Sequence, residues 1–280
     1  MIGIVASVTI LFCCTQAQNR RTASATDEGV TDNYSIPSGG TVAERFEVPN
    51  DFTRITTAEK TFAAYLQNLP LKPIGTRVQY YNGDYKINEV QAAVINVSVG
   101  KRDLQQCADA VIRLRADYFY KKKDFAAINF KLTNGFSVPF EKWIQGYRVA
   151  VNGNNCSWIL SASEDSGPTT YQKYLDFIFS YAGTLSLAKS LQGKPIAQIE
   201  IGDVFIRGGS PGHAIIVVDM AVNSVGKKIF LLAQSYMPAQ DIHILKNLED
   251  PSLSPWYELP TDNFLQTPEW KFATNELKTW

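Results

Sequence analysis

The stretch RGGSPGHAIIVVDMA, Arg207 to Ala221, joins a Gly/Pro-rich turn to an apolar, β-branched run that reads as a buried strand. It carries His213, one of two histidines in the chain. Its neighbours follow the same pattern. GDVFIRGG (202–209), KKIFLLAQSY (227–236) and DIHILKN (241–247) are short apolar runs separated by Gly, Asn and Pro. Such spacing predicts an antiparallel sheet.

Upstream the period changes. LQQCADAVIRLRADYFYKKK (104–123) places Leu104, Cys107, Ala108, Val111, Leu114, Arg115 and Tyr118 on one helical face. TYQKYLDFIFSYAGTLSLAKSL (170–191) reads as a second long helix, stopped by Gly193 and Pro195. TTAEKTFAAYLQNLPLKP (56–73) predicts a short helix closed by Pro70 and Pro73, and TRVQYYNG (76–83) and AAVINVSV (92–99) predict strands. Helices first and strands later is the layout of an α+β domain with helices packed on a sheet. The tail from Ser254 to Trp280 holds three of the five tryptophans and reads as an irregular segment held by aromatic contacts.

Lys plus Arg equal Asp plus Glu at 27 each, so the charge balance points to neither nucleic acid nor a polybasic membrane surface. The first residues, MIGIVASVTILFCCTQAQ, have the apolar run and small-residue site of a secretory leader over residues 1–17. Cys13 or Cys14 as a lipid-attachment cysteine is the alternative. Residues 18–43 read as a flexible tether, and 44–280 as one folded domain. The expected location is exported: periplasmic, or a membrane-anchored lipoprotein facing the periplasm. A monomer without cofactors is expected, because two histidines and two separated cysteines give no zinc spacing.

Cys107 and Cys156 are the cysteines left in that domain, and a disulfide between them is one reading. The other begins with the helix start. Asp103 as N-cap with Gln106 three residues on predicts a capping box that places Cys107 in the first turn. Free backbone N–H groups there favour a thiolate and offer an oxyanion site. A helix cysteine followed far downstream by a histidine on a strand is what a thiol hydrolase needs, together with a group that orients the base. Asp219 lies on the same strand as His213 but roughly 20 Å along it at about 3.3 Å per residue. If Ala221 faces Lys228 across the VNSVGK turn, Gln234 shares the face of His213 on the diagonal, and a one-residue slip substitutes Ser235. His243 alternates with Ile242 and Ile244 and is expected on an outer face.

These residues resemble a known group. GDVFIRGGSPGHAIIVVD is similar to the segment of papain-like cell-wall hydrolases, NlpC-type peptidases and CHAP amidases, in which Gly-Asp leads one strand and Gly-His opens the next. QQCADAVIRL resembles their nucleophile helix, with Gln106 where NlpC-type enzymes often have Asp, and FLLAQSY resembles the strand carrying the polar partner. The resemblance implies a papain-like α+β fold, with Cys107 as nucleophile, His213 as base and Gln234 as its orienting group. It implies an amidase or endopeptidase acting on peptidoglycan or another peptide substrate. Gln106, Trp143, Arg113 and Tyr147 are the expected substrate-binding residues, with Arg115 and Arg148 beside them. The runs ERFEVPNDFTRI, LPLKPIGT, KWIQGYRV and LLAQSYMPAQDIHIL also resemble a family of secreted bacterial proteins described only as a domain of unknown function. A non-catalytic binding or surface protein on the same scaffold is the alternative function.

Overall fold

The apolar alternation of the Arg207–Ala221 stretch becomes the centre of a nine-stranded sheet in the computed structural model, which describes residues 40–280. The strand His213–Asn223 pairs antiparallel with Val204–Arg207 on one side and Lys228–Gln234 on the other. Lys228–Gln234 then pairs with His243–Leu245, which pairs with Gln91–Val94. Beyond Val204–Arg207 come Leu277–Thr279 and Gln192–Gly193. Phe52–Arg54 lies along the far end of the His213 strand, and Tyr257–Glu258 along the start of its partner. The chain is thus a mixed α/β protein, mainly antiparallel sheet with few helices.

Alternation along the central strand builds two cores. Ala214, Ile216 and Val218 face the long helix Cys107–Lys121 and pack with its Ala108, Val111, Ile112 and Leu114. Ile215 and Val217 face the other way and pack with Phe205, Phe230, Leu265, Phe272 and Leu277. Phe272 is completely buried, and burial of such a side chain stabilises by about 1.5–3 kcal/mol.

At the far end of the central strand a bulge between Leu231 and Leu232 accompanies Asp219. Its carboxylate is buried and held by Arg54 Nε at 2.9 Å and Gln67 Nε2 at 2.7 Å. Asp219 is therefore a structural ion pair that ties the Phe52–Arg54 strand and the helix Phe62–Gln67 to the sheet.

Several expectations need correction. The long helix starts at Cys107 with Gln106 as N-cap, not at Asp103. Asp109 closes the cap by accepting the Gln106 N–H at 3.1 Å, while Asp103 Oδ1 accepts from the Ala239 N–H at 2.7 Å. The second long helix is two, Pro168–Tyr181 and Thr184–Ser190. Gly183 is extended between them and its N–H donates to Ser186 Oγ, which starts the second helix afresh. The 76–83 run folds back on itself, with Tyr80 N–H on Asp84 O and Gly83 at φ +95°, so it forms bridges rather than a strand. The tail supplies Leu277–Thr279 to the main sheet and a hairpin, Phe264–Gln266 with Lys271–Ala273. The folded body includes residues ahead of Glu44, since Thr41 caps the helix Val42–Arg45 and Val42 is fully buried.

The expected leader, residues 1–17, the tether up to residue 39, and Cys13 and Cys14 lie outside the described residues. No helix of the described residues is long and apolar enough to cross a membrane.

Candidate functional site

Pairing between the two central strands runs to Ala233↔Ile216, and Gln234 then pairs with His243 on the next strand. Where the strands part, the start of the long helix approaches. Ser235 Oγ donates to Gln105 O at 3.1 Å and to Gln240 O at 2.9 Å, which fastens the residues before Cys107 to the sheet.

Three backbone N–H groups act to lower the Cys107 thiol: those of Ala108 and Cys107, at the helix start, and that of Ala214, next to His213. Donors of this kind favour a thiolate. Burial works against them and is larger. Cys107 is 6% exposed, and desolvation pushes the thiol up to about 11, with the nearby Asp109 adding to the rise. The resting sulfur is therefore a neutral thiol at physiological pH.

His213 opens the central strand on the face opposite the long helix. Its ring packs against Tyr236, Trp270 and Phe272, with centroids 4.8, 5.3 and 5.8 Å away. The loop before it is tight. A Cβ on Gly212 would lie 2.4 Å from Thr184 Oγ1 and 2.5 Å from Gly209 O, so only glycine fits. His213 is 1% exposed, and burial lowers its pKa to about 4.

His213 Nε2 lies 2.9 Å from Gln234 Oε1. Gln234 Nε2 in turn lies 2.6 Å from Glu269 Oε2 and 3.3 Å from His243 Nε2. The carboxylate of Glu269 accepts from the amide nitrogen, which leaves the amide oxygen to face His213. His213 therefore carries its proton on Nε2. Its Nδ1 makes no hydrogen bond to the described residues and keeps a lone pair. His243 has the opposite arrangement: Nδ1–H donates to Asp241 O at 2.9 Å and Nε2 accepts from Gln234. Burial holds His243 at about 3, well below the usual imidazole value.

The structure thus brings Gln234 onto His213, and the Ala214 amide beside His213 is one of the groups that act on the Cys107 thiol. No hydrogen bond joins the sulfur to the imidazole among the described residues. Gln106 stands beside the sulfur as N-cap, its Nε2 donating to Asp103 Oδ1 at 3.0 Å. Trp143 and Tyr147 go elsewhere. Trp143 is buried between Tyr174, Phe177 and Arg148, and Arg148 spends its guanidinium on the carbonyls of Trp143 and Tyr147. Tyr147 sits at the start of a hairpin under Lys142. Arg113 is paired with Asp117 at 2.7 Å, and Arg115 lies over Phe62, Phe119 and Trp280. These five make packing, hydrogen-bond and ion-pair contacts within the fold. Cys107 and Cys156 are both free thiols, and Cys156 sits on a separate hairpin against Asn134.

Two participants were missed in the sequence and a third was misplaced. Glu269 and Lys86, paired at 2.6 Å, come from the tail and from a turn, and neither falls in a periodic run. His243 is fully buried rather than outward, because Gln91–Val94 covers its strand. The Glu between Pro268 and Trp270 was the nearest available clue: a charge set among aromatic contacts.

A family model matches residues 42–279. The chain belongs to the family described as Domain of unknown function (4846). The match covers all of the elements that form the site, from the helix Val42–Arg45 to the last strand. No curated protein and no solved structure matches the chain. Among the described residues no cluster of three or more His, Cys, Asp or Glu is placed to hold a metal ion.

Proposed function

We propose that the chain is an exported thiol hydrolase of papain-like construction that cleaves an amide bond, with peptidoglycan peptides as the substrate class. The observation that carries this reading is the contact of His213 Nε2 with Gln234 Oε1. It sets the imidazole with a free Nδ1 lone pair on the residue adjoining Ala214, whose amide acts to lower the Cys107 thiol.

In the proposed reaction Nδ1 of His213 takes the thiol proton as the sulfur attacks the substrate carbonyl. The oxyanion forms near the helix N–H groups, whose dipole end favours negative charge. Collapse breaks the C–N bond, and His213 returns the proton to the leaving amine. Water, deprotonated by the same nitrogen, then attacks the thioester, releasing a carboxylic acid and restoring the thiol. Gln234 holds the ring throughout by accepting the Nε2–H.

With the sulfur and imidazole both covered, and the imidazole on the face away from the long helix, this reading requires a substrate-bound form that opens the site and brings the two together. The same burial supports a second reading, a non-catalytic secreted binding protein in which Cys107 fills the helix start as a small apolar residue. Digestion of purified cell wall separates the two. The hydrolase reading expects wild-type protein to release amino groups and Cys107→Ala to release none. Absence of release from both proteins supports the binding protein, and equal release from both removes Cys107 from the chemistry.

A further inference from the structure

We propose that Glu269 is the positioning residue of this site: it sets the direction of the Gln234 amide and, through it, the tautomers of both histidines. The proposal rests on the reading of Cys107, His213 and Gln234 as the working group.

A glutamine amide has two orientations of nearly identical shape. In one, Gln234 accepts from His213 and donates to His243. In the other it donates to His213 and accepts from His243, and both imidazoles must then move their protons. The second state would put a hydrogen on His213 Nδ1 and remove the base. His213 cannot choose between the states, since its ring is equally able to donate or accept and its Nδ1 has no partner among the described residues.

Glu269 breaks that symmetry. One carboxylate oxygen lies 2.6 Å from Lys86 Nζ and the other 2.6 Å from Gln234 Nε2. Lys86 is itself buried, and its ammonium is directed by Gln240 Oε1 at 3.1 Å. The two carboxylate oxygens accept from Lys86 Nζ and from Gln234 Nε2, so the flipped amide would aim oxygen at oxygen. Asp241 O, accepting from His243 Nδ1, supports the same state from the other end. Glu269 reaches the site from the C-terminal hairpin and touches neither the sulfur nor the imidazole of His213 directly, so its action is through Gln234.

With two histidines in the chain, long-range proton–nitrogen spectra of ring-labelled protein read both tautomers at once. In wild type His213 is expected protonated on Nε2 and His243 on Nδ1. In Glu269→Ala both are expected to shift together toward the exchanged forms, and Glu269→Gln, whose own amide oxygen can accept from Gln234, is expected to hold the wild-type pattern. If Glu269→Ala does not fold, Glu269→Asp withdraws the acceptor while keeping the charge near Lys86, and a joint shift is again expected. Unchanged tautomers in whichever of these two variants folds, or Glu269→Gln as disruptive as Glu269→Ala, overturn the proposal. Should the wild type digest cell wall, Glu269→Ala is further expected to lose at least tenfold in kcat with KM unchanged. A wild type inert on cell wall sinks the hydrolase reading, and the tautomer spectra still decide the role of Glu269.

Discussion

Gln234 meets His213 across the central sheet at 2.9 Å although the two are not opposite each other in the ladder. Both side chains leave the face away from the long helix, where Trp270, Phe272 and Tyr236 shut out water. A neutral imidazole with an assigned proton follows from that enclosure, and so do the consequences below.

Alkylation of Cys107 should follow the burial of its thiol. With the thiol at about 11, the iodoacetamide rate is expected to rise about tenfold per pH unit from 7 to 10, with no neutral plateau. A Cys156→Ser background isolates the signal. A rate that is already flat between pH 5 and 8 would reveal a thiolate–imidazolium pair and contradict the resting state described.

Stability should peak near neutrality. His213 and His243 have folded pKa values of about 4 and 3, below the ordinary 6.5, so the unfolded chain binds protons first and stability falls as pH drops from 6.5. Asp109 is buried with Oδ1 unpartnered and is raised to about 8 from 3.8, so the unfolded chain releases its proton first and stability falls as pH rises toward 8. Tm is expected to be greatest around pH 6.5. Asp109→Asn should flatten the decline between pH 6.5 and 8; a decline that survives the substitution assigns it to another group.

The turn before His213 has no room for a side chain. Gly212→Ala should cost about 1–3 kcal/mol, the usual penalty of overpacking, because Thr184 Oγ1 and two carbonyl oxygens crowd the new Cβ. Urea unfolding measures it, and a loss below a few tenths would mean the loop relaxes freely.

The periodic parts of this fold were legible in the chain. Valine and isoleucine alternation marked the central strand, and the spacing from Cys107 to Tyr118 marked the long helix. Register was legible only by compensation. Ala221 pairs with Ile229 rather than Lys228, and the bulge at Leu231/Leu232 then restores the offset that puts Gln234 on the His213 face. That bulge lies beside Asp219, which meets Arg54 and Gln67, contacts remote in sequence. The break at Gly183 and the strand Leu277–Thr279 were hidden for the same reason: a glycine inside an apolar period and a tail of scattered aromatics take their form from tertiary packing. Lys86 and Glu269 show the limit most clearly, since an isolated buried ion pair leaves no periodic trace.

Trp270 should govern the imidazole. Removing its ring in Trp270→Ala admits water to His213, and the pKa is expected to climb from about 4 by about one unit or more toward 6.5. A proton NMR titration of the two histidines follows it directly. A His213 value that stays in place would assign the shift to the sheet and to Lys86 instead.

The most direct test of the central claim is release of amino groups from purified peptidoglycan by the wild type, Cys107→Ala and His213→Ala proteins side by side. The account predicts release by the wild type and loss of it in both variants. Release that persists in either variant, or no release by a correctly folded wild type, contradicts it.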